Sequence, residues 1–256
     1  ATDLDNDGDL DILSASYQDH KLLWFSNNGN GEFSSAQTVA FAGNTRGVHA
    51  ADMDGDGIVD VLSAGFGSDK IAWHKNLGGG MFYSPHDITV SYNSTPGLVI
   101  PIDGDGDGDM DVISARGRDW YQGSLSWHEN LGDGIFASPI DLTEEMAELS
   151  SLHVSDLDGD GDLDVLATDE DINAVVWYEN LGGGGFGSWE VIASLERPRA
   201  VYAADFDGDG DMDVLSADEN GEIMWCENDG SGQFGSLQFI FQAGDYHDGV
   251  IIYAAD

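Results

Sequence analysis

Aspartate stands at positions 1, 3, 5 and 9 of a nine-residue stretch that occurs five times: DLDNDGDLD at 3–11, DMDGDGIVD at 52–60, DGDGDGDMD at 103–111, DLDGDGDLD at 156–164 and DFDGDGDMD at 205–213. The repeated carboxylates are Asp3, Asp5, Asp7 and Asp11, then Asp52, Asp54, Asp56 and Asp60, then Asp103, Asp105, Asp107 and Asp111. Asp156, Asp158, Asp160 and Asp164 follow, and then Asp205, Asp207, Asp209 and Asp213. Alternate carboxylates suit a loop folded round Ca2+, which takes roughly six to eight hard oxygens. Glycine at position 6 (Gly8, Gly57, Gly108, Gly161 and Gly210) permits the sharp turn. Position 7 is Asp9, Ile58, Asp109, Asp162 and Asp211; isoleucine is tolerable there if the ligand is the backbone carbonyl. A merely solvated acidic turn is the poorer reading, because carboxylates this close repel one another strongly without a cation. Mg2+ rarely accepts an all-protein cage. An EF-hand needs Glu at position 12, where this chain has Ser14, Ser63, Ser114, Ala167 and Ser216. The expected complement is one Ca2+ per repeat, five in all.

The loops return about every 50 residues, and a second marker follows each. Trp24, Trp73, Trp127, Trp177 and Trp225 are each followed, three residues on, by Asn27, Asn76, Asn130, Asn180 and Asn228. Six residues further stand Phe33, Phe82, Phe136, Phe186 and Phe234, with a glycine-rich turn between. Each unit divides into four short runs rich in β-branched and aromatic residues and bounded by Gly, Asn and Asp, such as VHAAD, VDVLSA, KIAWHKN and MFYSPHDITV. These are taken as strands A to D, with the acidic loop between A and B. Only LTEEMAEL at 142–149 resembles a helical turn. Four strands per repeat, repeated without a linker, predict an all-β fold: a β-propeller of antiparallel blades forming a single domain over 1–256.

The combination of DxDxDGxxD, a strand and WxxNxGxGxF resembles the FG-GAP/VCBS repeat, the blade of integrin-α-like β-propellers. The resemblance covers all five units. It implies Ca2+ between strands A and B, held by the aspartates at positions 1, 3, 5 and 9 and the carbonyl of position 7. Gly104 departs from the pattern at position 2, where the other loops have Leu, Met or Phe. The family serves in adhesion, in carbohydrate binding and as accessory domains of secreted proteins, and its name does not choose among these.

The formal net charge is −41, and 24 of the 49 acidic residues belong to the five loops. So acidic a surface disfavours nucleic acid and anionic membranes as partners. No apolar run reaches the roughly 18 residues of a membrane-spanning helix. The one cysteine, Cys226, excludes an intrachain disulfide framework and shares its slot with Phe25, His74, His128 and Tyr178, which suggests a packed thiol. His49 and His153 share theirs with Ile100, Tyr202 and Tyr253, again suggesting packing. The repeated Trp and Phe are expected to pack between blades, and the Asn to bond backbone in the C–D turn. The expected setting is secreted or cell-surface, as a monomer.

Seven of the eight cations fall at the end of the blades opposite the acidic loops; Lys75 is the exception. At that opposite end the third repeat is longer, with 16 residues from Asp111 to Trp127 where three other copies have 13. The added residues lie in RGRDWYQGS, 116–124. Arg116, Arg118, Trp120 and Tyr121 there could form a sugar-stacking or protein-contact site, or the aromatics could pack onto a neighbouring blade. Three functions stay open: a non-catalytic calcium-binding propeller recognising carbohydrate or an extracellular protein, a polysaccharide-active enzyme or accessory domain, and a structural spacer. No isolated nucleophile–base set supports catalysis. Finally, the orphan strand IIYAAD at 251–256 could complete the first blade and close a five-bladed ring, the alternative being a fragment of a six- or seven-bladed propeller.

Overall fold

In a computed structural model, residues 1–65, 68–90, 96–116, 123–146 and 149–242 are described, and every described strand pairing is antiparallel. Two compact units are present. The first holds the sheet β1 (Ile12–Ser16), β2 (Lys21–Phe25), β3 (Gln37–Phe41) and the sheet β4 (Thr45–Ala51), β5 (Asp60–Gly65), β6 (Lys70–His74), β7 (His86–Val90). It also holds most of a third sheet, β8 (Pro96–Ile102), β9 (Asp111–Arg116), β10 (Gly123–His128), β11 (Ile140–Met146). The second unit holds β12 (Leu149–Ser155), β13 (Asp164–Asp169), β14 (Ala174–Tyr178), β15 (Glu190–Ser194) and β16 (Pro198–Ala204), β17 (Asp213–Asp218), β18 (Glu222–Cys226), β19 (Gln238–Gln242), together with the loop residues 103–107.

Each repeat is thus one sheet, ordered A–B–C–D as predicted, with three described strands in the first repeat and four in the others. The strand proposed to complete the first blade, 251–256, lies outside the described residues, as do Arg118, Trp120 and Tyr121. Two expectations need correction. Strand D does not begin at the conserved-looking aromatic: Phe82 makes only an isolated bridge to Asn76, and β7 starts at His86. The run from 142 is not a helical turn, because Leu142–Met146 belongs to strand β11. One isolated turn carries the cost of helix nucleation with little return, whereas pairing beside β10 satisfies the backbone directly.

The B strands β5, β13 and β17 are buried at every position. Apolar layers form between consecutive sheets within each unit. Leu4, Leu22 and Trp24 meet Val61 of the next repeat; Met53, Leu62 and Trp73 meet Val99 and Val112; Leu157, Leu166 and Trp177 meet Val201 and Val214. Position 2 of the acidic loop therefore contributes to the core at Leu4, Met53 and Leu157, whereas Phe206 of the fifth loop is exposed. The Trp rings lie against glycines of the following repeat's C–D turn: a Cβ on Gly80, Gly134 or Gly232 would overlap Trp24, Trp73 or Trp177. Phe82, Phe136 and Phe234 pack on the same clusters, Phe234 edge-on to Trp177 with centroids 6.1 Å apart. The inter-blade role expected of Trp and Phe holds at these positions.

Candidate metal centres

Each loop is closed by its own first aspartate. Asp52 accepts hydrogen bonds from the Asp56 N–H (3.1 Å) and the Gly57 N–H (2.7 Å), and Asp3 does the same for Asp7 (3.1 Å) and Gly8 (2.9 Å). Asp156 and Asp205 accept from Gly161 and Gly210, both at 3.1 Å. The wrap needs a left-handed backbone at position 6, where φ runs from 83° at Gly57 to 103° at Gly210. It needs one at position 4 as well, where Asn6 has φ 63° and the other loops have glycine. That second requirement shows in the sequence as Asn or Gly at position 4.

The wrap converges carboxylates. Ligand atoms of Asp3, Asp5 and Asp11 lie within 4.8 Å of one another, as do those of Asp52, Asp54 and Asp60, of Asp156, Asp158 and Asp164, and of Asp205, Asp207 and Asp213. In the third loop the converging trio is Asp103, Asp105 and Asp107. The aspartates of position 5 elsewhere, Asp7, Asp56, Asp160 and Asp209, and Asp111 of the third loop stand outside these trios. At position 7 the side chains of Asp9, Asp109, Asp162 and Asp211 stand against Gly29, Gly132, Gly182 and Gly230 of the C–D turn, and Ile58 lies near Gly78. That contact turns them from the cluster and sets the A–B and C–D loops at one end of the sheet.

Position 9 does more than the sequence suggested. Asp11, Asp60, Asp111, Asp164 and Asp213 are all 0% exposed. Asp60 accepts from Met53 N (3.2 Å) and Trp73 Nε1 (2.9 Å) on one oxygen and from Asn76 N (2.7 Å) on the other. Asp11 repeats this with Leu4, Trp24 and Asn27. The Asn in turn accepts from the turn glycine, as Asn76 Oδ1 does from Gly78 N (2.9 Å), confirming its expected turn role. Its Nδ2 also reaches the preceding repeat: Asn76 donates to Leu4 O (2.7 Å), Asn130 to Met53 O (2.8 Å), Asn180 to Gly104 O (3.0 Å) and Asn228 to Leu157 O (2.6 Å). Each acceptor is position 2 of the loop before.

The electrostatics would suit a cation. Asp5, Asp105, Asp158 and Asp207, all at position 3, are held above the usual carboxylate range by desolvation first and by neighbouring aspartates second. Burial pushes Asp164 up to about 6. Asp5 Oδ1 and Asp54 Oδ1 are buried with no hydrogen-bond partner. Buried anionic oxygens lacking donors fit a hard cation, which would relieve both the desolvation and the repulsion. The second loop is unlike the others, because Lys75 forms ion pairs with Asp54 and with Asp56 (2.8 Å to the latter).

Elsewhere, Ser63 and His74, and Ser114 and His128, form pairs with Oγ to Nε2 distances of 2.9 Å. All four side chains are buried, and desolvation pushes both imidazoles down to about 4. Cys226 is buried, with its thiol pushed up to about 11, as expected of a packed cysteine. His153 stacks on Tyr202, with centroids 4.6 Å apart. Among the described residues, the cations at the other end of the sheets are engaged. Lys70 pairs with Asp87, and Arg116 pairs with Asp141 (3.2 Å). Arg197 and Arg199 both pair with Glu170 and Glu219. Lys21 and Arg46 lie over the rings of Phe41 and Tyr17.

Similar folds occur in an Agrocybe aegerita lectin described as specifically recognising non-reducing terminal N-acetylglucosamine (22% identity, TM-score 0.68, 95% of this chain and 65% of that one). They occur also in the BP39L lectin of Burkholderia pseudomallei (14%, 0.70, 90% and 66%) and in BBS1N, solved in complex with ARL6DN (11%, 0.59, 93% and 66%). The chain thus spans just under two thirds of the length of each. A search of the curated proteins returned no match. The lectin likenesses establish an all-β propeller fold, to which the five repeat sheets correspond as blades. The FG-GAP-like repeat model matches at 3–63, 52–114, 103–167, 156–216 and 205–256, so that the whole acidic-loop framework is accounted for, and the chain belongs to the FG-GAP-like repeat family.

Proposed function

We propose that this protein is a non-catalytic, calcium-binding propeller module that recognises carbohydrate or an extracellular protein. The observation that carries the calcium reading is the convergence, in every repeat, of three aspartates whose ligand atoms lie within 4.8 Å of one another. The ligand set is the Asp at positions 1, 3, 5 and 9 with the position-7 carbonyl. Carbohydrate recognition draws support from the lectins that share the fold. Recognition of a protein has a counterpart in BBS1N, which was solved with a protein partner.

The buried Ser–His pairs are shut away from any substrate, so they support no hydrolytic reading. Weak carboxylate sites suit an extracellular setting, where Ca2+ is abundant enough to fill them. The chain is accordingly taken as secreted or held at a cell surface, and as a monomer forming one propeller domain. Its recognition surface is assigned to the third repeat's B–C loop, around Arg116, Arg118, Trp120 and Tyr121, at the end opposite the metals.

The deciding experiment is a glycan array probed with Ca2+ and again with excess EDTA. Binding that Trp120→Ala abolishes, with the thermal melt unchanged, is the expected result. No glycan bound with Ca2+ present would refute the carbohydrate reading, and a Trp120→Ala chain that binds as the parent does would refute the assigned surface.

A further inference from the structure

The second acidic loop departs from its four siblings twice. Position 7 is Ile58 where the others have Asp. The residue two after the Trp is Lys75, where the other repeats have Ser26, Glu129, Glu179 and Glu227. The slot is equivalent in all five: its carbonyl accepts from the residue after the marker Phe, at 2.8 Å for Ser26, 2.9 Å for Lys75, 2.8 Å for Glu129, 2.8 Å for Glu179 and 2.7 Å for Glu227. Both changes lower the local negative charge. Four aspartates and one lysine leave −3 in the second repeat, against −6 for five aspartates and a glutamate in each of the last three.

The geometry shows where that lysine goes. Lys75 Nζ pairs with Asp54 at position 3 and with Asp56 at position 5 (2.8 Å to Asp56), two of the carboxylates assigned above to the ion. The Asp54 side chain is 9% exposed, so the ammonium meets a largely desolvated carboxylate. A tethered ammonium needs no recruitment from solution and already occupies Asp54 Oδ2 and Asp56 Oδ2, leaving Asp54 Oδ1 as the buried oxygen without a hydrogen-bond partner.

We propose that Lys75 is the built-in cation of the second loop, replacing the divalent ion there, so that the chain takes up Ca2+ at four of its five loops. This rests on the calcium reading of the other four. The second blade then keeps a folded A–B loop when Ca2+ is withdrawn.

Ion stoichiometry tests it. Native mass spectrometry of the full chain at saturating Ca2+ is expected to show four ions on the parent and five on Lys75→Gln or Lys75→Glu, the latter copying the residue of the last three repeats. Five ions on the parent, or four on a folded Lys75→Gln chain, would overturn the assignment while leaving the calcium reading intact. No uptake by either protein would overturn both. Hydrogen exchange on the parent alone is independent of whether the variants fold. In EDTA, residues 52–60 are expected to exchange at least about 10-fold more slowly than residues 156–164, a difference of about 1.4 kcal/mol in opening free energy. Equal exchange in the two segments would refute the built-in cation.

Discussion

Replacing His74 and His128 together by Phe should flatten the loss of stability of this protein in mild acid. Both imidazoles are buried, at 1% and 2% exposure, and desolvation lowers each to about 4, with Asp87 and Asp141 only partly opposing. In the unfolded chain they titrate near 6.5. A base whose pKa is lower folded than unfolded contributes full stability above the unfolded value and loses it as pH falls through the window from 6.5 toward 4. At pH 5 the unfolded state has gained most of a proton at each site and the folded state almost none. The linkage integral is then about 2 kcal/mol per histidine, or about 4 kcal/mol for the pair. Phe is a fair replacement because the first repeat already places Phe25 on the strand beside Ser14, the combination the variant would create with Ser63 and Ser114. Losing the hydroxyl partners costs about 1–3 kcal/mol each, but at every pH, so the slope and not the intercept carries the test. Aspartates that titrate in the same range are common to both proteins and cancel in the comparison. The assay is urea denaturation at half-unit steps from pH 7.5 to 4.5 with Ca2+ held in excess. Parallel stability–pH curves for parent and variant would refute the claim that these imidazoles are folded neutral.

Three further outcomes are expected. Excess EDTA should lower the melting temperature by well over 10 °C, because each filled site contributes about 2.7 kcal/mol at a free Ca2+ concentration about 100-fold above Kd; an unchanged melt by differential scanning calorimetry would remove the metal reading. Asn130→Ala should cost about 1–3 kcal/mol in urea denaturation, since it deprives the buried carbonyl of Met53 of its donor and unties the turn at Gly132; a change under about 0.5 kcal/mol would show that the link between repeats is incidental. Gly134→Ala should destabilise by about 2–4 kcal/mol, combining a positive φ with overlap on Trp73, whereas Gly55→Ala, with similar φ and open space around it, should cost only about 1 kcal/mol; equal costs by thermal or chemical melts would deny the ring packing.

The fold was legible because two signals of different kind shared one period. The acidic loop marks where strand A turns into B, and the Trp–Asn–Phe spacing marks where C turns into D, so four strands could be cut from each repeat, with a helical competitor only at 142–149. What the sequence blurred were elements whose partners lie far along the chain. The run from 142 has helix-forming residues, and only its pairing with β10 makes it a strand. Phe82 looks like the start of strand D but is drawn to the Trp24 layer of the preceding repeat, which leaves only a single bridge at Asn76 before β7 begins.

The site was legible in its chemistry but not in its wiring. Alternating aspartates announce a cation, yet spacing treats all of them alike. The structure separates them by what each must also hold. Position 1 binds the backbone of its own loop, and position 7 turns toward the C–D glycines. Position 9 is the buried junction where the loop, the Trp indole and the Asn turn meet, most completely at Asp11 and Asp60. An aspartate there is needed for its two acceptor oxygens even before any ion arrives, because at Asp11 and Asp60 three N–H groups from three segments converge on it. The sequence displayed that requirement as the invariance of Asp at position 9, and assigning the residue wholly to the metal hid it. From the same junction the Asn carries the connection to position 2 of the preceding loop, as Asn76 does to Leu4. The acidic loops within a unit are thereby joined by one side chain each, and the ion proposed to order one loop would stiffen the acceptor end of the next link.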